Sequence, residues 1–310
     1  MSQVAHKNSH LERNKRVSAF WDENKWDKIP PYWCGFQPVQ DHLSARAGNR
    51  FQHYHKTLLL KHLTGRKFRN GISIACGLGR AERGFVDLGM VDGVITGIDL
   101  SPGSIECARK EAERAGFSSR LKYLSSDIYS YLSMKNNSAP IDLAIGVGGL
   151  HHVEDPFLLL SMLRNSMASD GILFVDEYVG PDYYQYDKLT LAVINSILSA
   201  LHPLDSSIWP ASWEGFSKKS FLDSDPSEGI ASSHIMPAIE ENFIIKECFN
   251  LCGNIMLPIY GFMHAAMSNT PSSAAAMGQL AVTIMEFERR LTDSGVMKPY
   301  FNCLLAYPRP

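Results

Sequence analysis

From Gly71 onward the chain alternates short apolar runs with amphipathic stretches. An apolar run at 72–75 enters a glycine turn and then a helical pattern through Asp87. The run at 93–98 is followed by a helical stretch at 102–115, and the strand-like segments at 121–124 and 141–145 are separated by a linker. A helix over 156–167 and a strand over 171–179 complete this part. Strands alternating with helices of ten or more residues predict a parallel sheet with right-handed crossovers.

After Gly180-Pro181 the rhythm breaks for about fifty residues that include Tyr183, Tyr184, Tyr186, Trp209 and Trp213. It then resumes. Ser232 or Ser233 can cap a short helix ending near Glu241, ahead of a strand at 243–248, a long helix at 275–291 and a final strand at 301–306. The first 65 residues are polar, then aromatic-rich (Phe20, Trp21, Trp26, Tyr32, Trp33, Phe36), and end in a helical stretch over 49–64. They read as a cap. The expected division is a helical cap over 1–65 and a main domain over 66–310, with a lid or substrate insertion over about 181–231.

Composition adds mainly exclusions. With 310 residues, 45% hydrophobic, and 30 Lys+Arg against 32 Asp+Glu, the chain has room for a large core and no basic excess to grip nucleic acid. Six scattered cysteines include no CxxC pair, which suits reduced thiols in the cytoplasm rather than a disulfide framework. Cys248 and Cys252 could share a helical face as half a metal site, but no second ligand pair follows at zinc-like spacing. Packing is the simpler reading. No apolar h-region opens the chain and no run of 18 apolar residues occurs, so neither export nor a membrane span is expected.

The chemistry is concentrated in two places. Residues Ile72-Ser73-Ile74-Ala75-Cys76-Gly77-Leu78-Gly79 form a strand running into a glycine turn at a helix start, where free N–H groups meet a ligand. Twenty residues later stands Asp99, in Gly97-Ile98-Asp99-Leu100-Ser101, where a doubly wound fold places a carboxylate against ribose hydroxyls. It could instead simply cap the helix starting at Pro102. The turn lacks G-x-G-x-x-G spacing because position 82 is Glu, which disfavours a nicotinamide dinucleotide. No cysteine triplet suggests a radical iron–sulfur enzyme.

In the order Ala75 to Gly79, Gly97 to Ser101, Ser126-Asp127-Ile128, Leu150-His151-His152-Val153-Glu154-Asp155 and 171–175, the chain resembles the class I S-adenosylmethionine-dependent methyltransferases. The resemblance covers about residues 70–180. It implies an α/β, Rossmann-like, doubly wound seven-stranded sheet with an antiparallel last strand, and S-adenosylmethionine as cofactor. By the same resemblance, Ala75, Cys76, Gly77 and Gly79 would hold the methionine part, Asp99 the ribose, and Leu100 the adenine face. Asp127 would meet the adenine amino group with Ile128 beside it, and Gly146, Val147 and Gly148 would lie under the methionine end. Two positions depart from the pattern: Ser73 replaces an acidic residue common in the family, and Ala75 replaces the first glycine.

Methyl transfer from a sulfonium asks the protein chiefly for alignment, with a base if the acceptor is a hydroxyl. His151 or His152, just after the fourth strand, is the candidate base, with helix entry as the rival role. Glu177 and Tyr178 could also face the pocket, with Asp176 on the opposite side. The expected acceptor is a small molecule carrying a hydroxyl, and Tyr32, Trp33, Tyr183, Tyr184 and Tyr186 either wall its pocket or pack in the core. No metal is expected, nor a nucleic-acid or membrane partner; a homo-oligomer is compatible. A catalytically silent cofactor-binding relative and an NAD(P)-dependent oxidoreductase stay open as alternatives.

Overall fold

The computed structural model describes residues 2–22, 32–134, 139–269 and 274–310. Before the sheet come α1 (Ser2–Asp22), α2 (Gln37–Arg46) and α3 (Tyr54–Leu63). Two helices therefore stand between 37 and 63, where the pattern predicts one over 49–64. Trp26 lies outside the described residues.

The alternating part then follows as β1 (Phe68–Ile74), α4 (Arg80–Asp87), β2 (Val91–Asp99), α5 (Pro102–Arg114), β3 (Leu121–Ser125), α6 (Ile128–Met134), β4 (Ile141–Val147), α7 (Pro156–Ser166) and β5 (Met167–Tyr178). Local chemistry sets the helix starts. Ser101 accepts from the Ser104 N–H with Pro102 at the first helical position, and Asp155 does the same for Leu158 ahead of Pro156.

The insertion contributes α8 (Lys188–Leu201) and α9 (Lys218–Asp223). After it come α10 (Ile235–Asn242), β6 (Phe243–Cys252), α11 (Met256–Asn269), α12 (Ala274–Asp293) and β7 (Phe301–Pro308). Cys248 and Cys252 lie on β6, so the helical face considered for them does not exist.

The strand order is β3-β2-β1-β4-β5-β7-β6. Strands β1 to β5 pair in parallel, and β7 runs antiparallel to both β5 and β6. That is the doubly wound sheet with a reversed last strand expected from the sequence. Its order reverses between β1 and β4, and a crevice opens at the carboxyl ends of strands on either side of such a point.

Each face carries its own core. Ile72, Ile74, Leu173 and Val175 pack with α7 and α10 residues on one side. Phe68, Ile95, Ile145 and Phe174 pack with the N-terminal helices, α11 and α12 on the other. Leu159, Leu160 and Leu163 of α7 are all fully buried, each contributing about 1.5–3 kcal/mol of hydrophobic stabilisation. Among the described residues no helix is long and apolar enough to cross a membrane.

Candidate active site

The end of β1 turns sharply. Ala75, Gly77 and Gly79 have φ of +46°, +50° and +70°, so three residues of the turn lie in the left-handed region. At Gly79 a Cβ would come within 2.3 Å of the Tyr123 hydroxyl, so a side chain there is excluded by space as well as by backbone. Ala75 adopts the same kind of conformation without glycine's freedom.

Asp99 ends β2 beside this turn. Its Oδ2 accepts from the Gly77 N–H at 2.9 Å and its Oδ1 from the Ser101 N–H at 2.9 Å. Burial pushes its carboxyl above the ordinary range, while these two amides pull it back. The carboxylate thus ties the glycine turn to Ser101, which is itself the cap of α5, so the capping role considered for Asp99 falls to Ser101. Across the sheet, the Gly148 N–H donates to the Asp176 carbonyl at 2.9 Å, and a Cβ on Gly149 would meet the Ile74 carbonyl at 2.6 Å. Gly146 and Val147 end β4 within the same region.

Helix α1 lies over this edge. The Asp22 Oδ1 accepts from the Ser101 hydroxyl at 2.6 Å and from the Gly103 N–H at 2.8 Å, placing an anion at the N-terminus of α5. Ser18 donates to the Leu100 carbonyl at 3.1 Å, Asn14 to Asp127 Oδ2 at 3.5 Å, and Arg13 pairs with Glu154 at 2.7 Å. Asp127 also caps α6 through the Ser130 N–H at 2.9 Å, with Ile128 beginning that helix. The positions assigned to ribose and adenine, Asp99, Leu100 and Asp127, are therefore gathered under one helix.

The second half of the site is a histidine pair, His151 buried and His152 half-buried. His151 and His152 have ring centroids 4.1 Å apart. The His151 Nδ1 bonds Glu177 Oε1, and its Nε2 lies 3.5 Å from Glu228 Oε1. Burial pushes the His151 imidazole down, but the Glu177 and Glu228 carboxylates push it up further, to about 9. His152 bonds the Ser227 hydroxyl through Nδ1 at 3.0 Å and faces Glu228 Oε2 at 3.9 Å.

Glu177 is fully buried and saturated. Its oxygens accept from the Gly149, Leu150 and Tyr178 amides at 2.7, 2.6 and 2.8 Å, besides His151. It orients the loop after β4 and does not open toward an acceptor. Tyr178 points to the other face, with Asp176, because neighbouring strand residues alternate: it stacks on Tyr184 at 3.9 Å and donates to the Pro181 carbonyl. Asp176 binds the Tyr54 hydroxyl and His55 on that side.

The insertion supplies what sequence reasoning passed over. Asp225 accepts the Trp21 indole N–H at 2.8 Å and the Ser227 hydroxyl at 2.6 Å, and Glu228 accepts the Tyr184 hydroxyl at 2.9 Å. The signal was the polar run Asp225-Pro226-Ser227-Glu228-Gly229 inside an aromatic stretch. Of the five aromatics offered as pocket walls, Trp33, Tyr184 and Tyr186 belong to the core, Tyr32 is exposed, and Tyr183 sits at a strained φ of +51°. Ligand atoms of His151, His152 and Glu228 lie within 4.8 Å of one another, as do those of His55, Asp176 and Cys303. Either donor set could take a divalent ion only with its imidazoles neutral.

Residues 72–175 match the family model described as a methyltransferase domain. An uncharacterized protein of Synechococcus sp. is 32% identical over 84 residues, which are 27% of this chain and 19% of that protein, so the match spans about a fifth of that relative's length. Geranyl diphosphate C-methyltransferase from Streptomyces coelicolor, solved with Mg2+, geranyl diphosphate and S-adenosyl-L-homocysteine, superposes with a TM-score of 0.50 at 13% identity, covering 96% of this chain and 97% of that one. A phosphoethanolamine N-methyltransferase from Haemonchus contortus, solved with S-adenosylhomocysteine, gives 0.50 at 13% identity over 94% of this chain and 59% of that one. Such identities speak for the fold. The strand order and the segment matched over residues 72–175 agree with the methyltransferase domain expected from the sequence.

Proposed function

We propose that this domain transfers the methyl group of S-adenosylmethionine to a hydroxyl oxygen of a small-molecule acceptor. The observation that carries the reading is the polar cluster of His151, His152, Asp225, Ser227 and Glu228, built at the carboxyl edge of β4 and roofed by α1 and the insertion. A free amine attacks through its lone pair before losing any proton and so has less need of a proton acceptor. A hydroxyl must lose its proton as the new O–CH3 bond forms.

S-adenosylmethionine supplies an already activated methyl on its sulfonium. The protein's own residues then hold, shield and deprotonate. The glycine turn at Ala75 to Gly79 and Gly146 to Gly148 would seat the methionine end. Asp99 would take the ribose, and Leu100, Asp127 and Ile128 the adenine. Helix α1 excludes water from above. His151, already holding a proton at neutral pH because of its carboxylate neighbours, serves as a fixed cation. His152, backed by Glu228 and Asp225, is the proton acceptor, and Glu177 positions the pair without touching substrate.

The test is a product screen with labelled S-adenosylmethionine against phenols, sugar and polyketide hydroxyls, amines and activated carbons. Methyl ethers, lost in His152→Ala at saturating cofactor, are the expected result. Label found only on nitrogen or carbon, or turnover unchanged in His152→Ala, would overturn the assignment.

A further inference from the structure

Glu82 is a first-turn residue of α4, three positions after Gly79, and a carboxylate there would ordinarily reach solvent. Instead it is 0% exposed, and among the described residues neither of its oxygens has a hydrogen-bond partner of good geometry; only the Ser73 hydroxyl and the Glu82 amide come close enough to favour its charged form. Its charged neighbour does not help: the Arg83 guanidinium donates to the Leu78 carbonyl at 2.6 Å. A buried carboxylate this poorly partnered is strongly unfavourable unless it takes up a proton or meets a cation.

Its surroundings say where. Glu82 is close enough to Cys76, in the turn, and to Tyr123, on β3, to push both of those groups up, and Asp99 in turn pushes Glu82 up. Burial, the largest cause, sets its carboxyl at about 7, with the Ser73 hydroxyl and Arg83 offsetting only part. Ser73 is itself buried and projects to the α4 side of β1, because Ile72 and Ile74 pack into the core of the opposite face. Strand end, turn and helix start thus enclose one carboxylate, supplied by the helix, next to a serine at the strand position where related chains carry an acid.

The geometry points to Glu82 as the anion that receives the methionine ammonium of the cofactor, relocated from the strand to the first turn of α4. The assignment rests on the S-adenosylmethionine reading given above. It also removes the motive for a silent relative, since the charge missing at Ser73 is present nearby. Glu82 is here a binding residue, acting on the cofactor's amino group and not on the transferred methyl.

Calorimetric titration of the full chain with S-adenosylhomocysteine and with 5′-methylthioadenosine, which lacks the amino-acid part, separates the outcomes. Glu82→Gln is expected to weaken S-adenosylhomocysteine by about tenfold or more, as for loss of a charge-assisted hydrogen bond, and 5′-methylthioadenosine by less than about twofold. Glu82→Asp keeps the charge on a shorter arm and should fall between, which preserves the comparison if Glu82→Gln does not fold. Adding Ser73→Asp to Glu82→Gln should restore the amino-acid discrimination. Equal losses for both ligands, or no loss for either, would overturn the role of Glu82; wild-type protein that binds neither ligand would overturn the cofactor reading itself.

Discussion

The Trp21 indole N–H donates to Asp225 Oδ2 at 2.8 Å, joining α1 to the insertion across the mouth of the candidate site. The same Trp21 ring meets His152 edge-on, with centroids 5.9 Å apart. One side chain therefore fastens the roof and touches the proposed proton acceptor. Trp21→Phe keeps the apolar ring and removes only the donor. Loss of a hydrogen bond to a carboxylate should loosen α1 by about 1.5–3 kcal/mol. The expected outcome is faster amide exchange in α1 and weaker S-adenosylhomocysteine binding in the variant, with the exchange slowed again when that ligand saturates the site. Exchange that matches wild type would mean the roof is held elsewhere.

Asp99 makes a different prediction because its oxygens hold the turn as well as facing the crevice. Asp99→Ala strands the Gly77 and Ser101 amides and removes the acceptor proposed for the ribose. S-adenosylhomocysteine affinity is expected to drop by about 1.5–3 kcal/mol, roughly ten- to a hundredfold. A melting curve taken alongside separates loss of the turn from loss of the ligand contact, since Asp99→Asn keeps one acceptor oxygen. Undiminished affinity in both variants would remove Asp99 from the site.

The His151 proton is linked to stability. Burial alone would discharge the ring, yet Glu177 on β5 and Glu228 and Asp225 from the insertion raise it to about 9, with His152 as its neighbour in sequence. The folded chain thus holds a proton that the unfolded chain releases near pH 6.5. Its contribution is complete below about pH 6.5 and is lost as pH climbs through about 9. Denaturant unfolding should show wild-type stability declining across that interval, and His151→Asn should flatten the decline. Glu177→Gln should go further, costing about 3–5 kcal/mol at neutral pH because it leaves a buried cation with less compensation. A pH-independent difference between wild type and His151→Asn would refute the linkage.

A cationic His151 is also a poor metal ligand, since imidazole binds metals only when neutral. Turnover should therefore survive exhaustive chelation and gain nothing from added Mg2+ or Zn2+ at neutral pH. Activity lost to EDTA and regained with one divalent ion would instead put that ion on His151, His152 and Glu228.

The strands of the sheet were legible because apolar runs alternate with helical stretches, two of which are announced by their caps: Ser101-Pro102 and Asp155-Pro156 mark the starts of α5 and α7 almost to the residue. The glycine turn and Asp99 were legible for the same reason, as local backbone chemistry. What stayed hidden depends on contacts far apart in sequence. Nothing near Glu82 reveals that β1 and β3 will bury it, and nothing near Asp225 reveals that Trp21, 204 positions earlier, will donate to it. Glu177 and Tyr178, expected on one side, face opposite ways because strand alternation continues past Glu177. Helices α6, α8, α9 and α11 escaped because neither a strong periodic stripe nor a capping pair marks all of their limits, and α11 is apolar nearly all round, with Met256, Ile259, Tyr260 and Met263 buried.

Ala75 carries the last prediction. With φ at +46° it pays for its Cβ in a region that costs a non-glycine residue about 1–2 kcal/mol. Glycine would relieve that strain but would enlarge the unfolded ensemble, at about 0.4–1 kcal/mol. The difference favours Ala75→Gly by about 0–1.6 kcal/mol. The Cβ has a second consequence: it lies 2.9 Å from where a Cβ on Gly149 would stand, so it fixes how closely the loops after β1 and β4 approach. Removing it should therefore stabilise the chain and at the same time relax the spacing of the methionine cradle. Chemical denaturation should move to a higher midpoint while S-adenosylhomocysteine binding stays level or weakens slightly. A lowered midpoint would show that the Ala75 methyl contributes more through contact with the β4 loop than its backbone strain takes away.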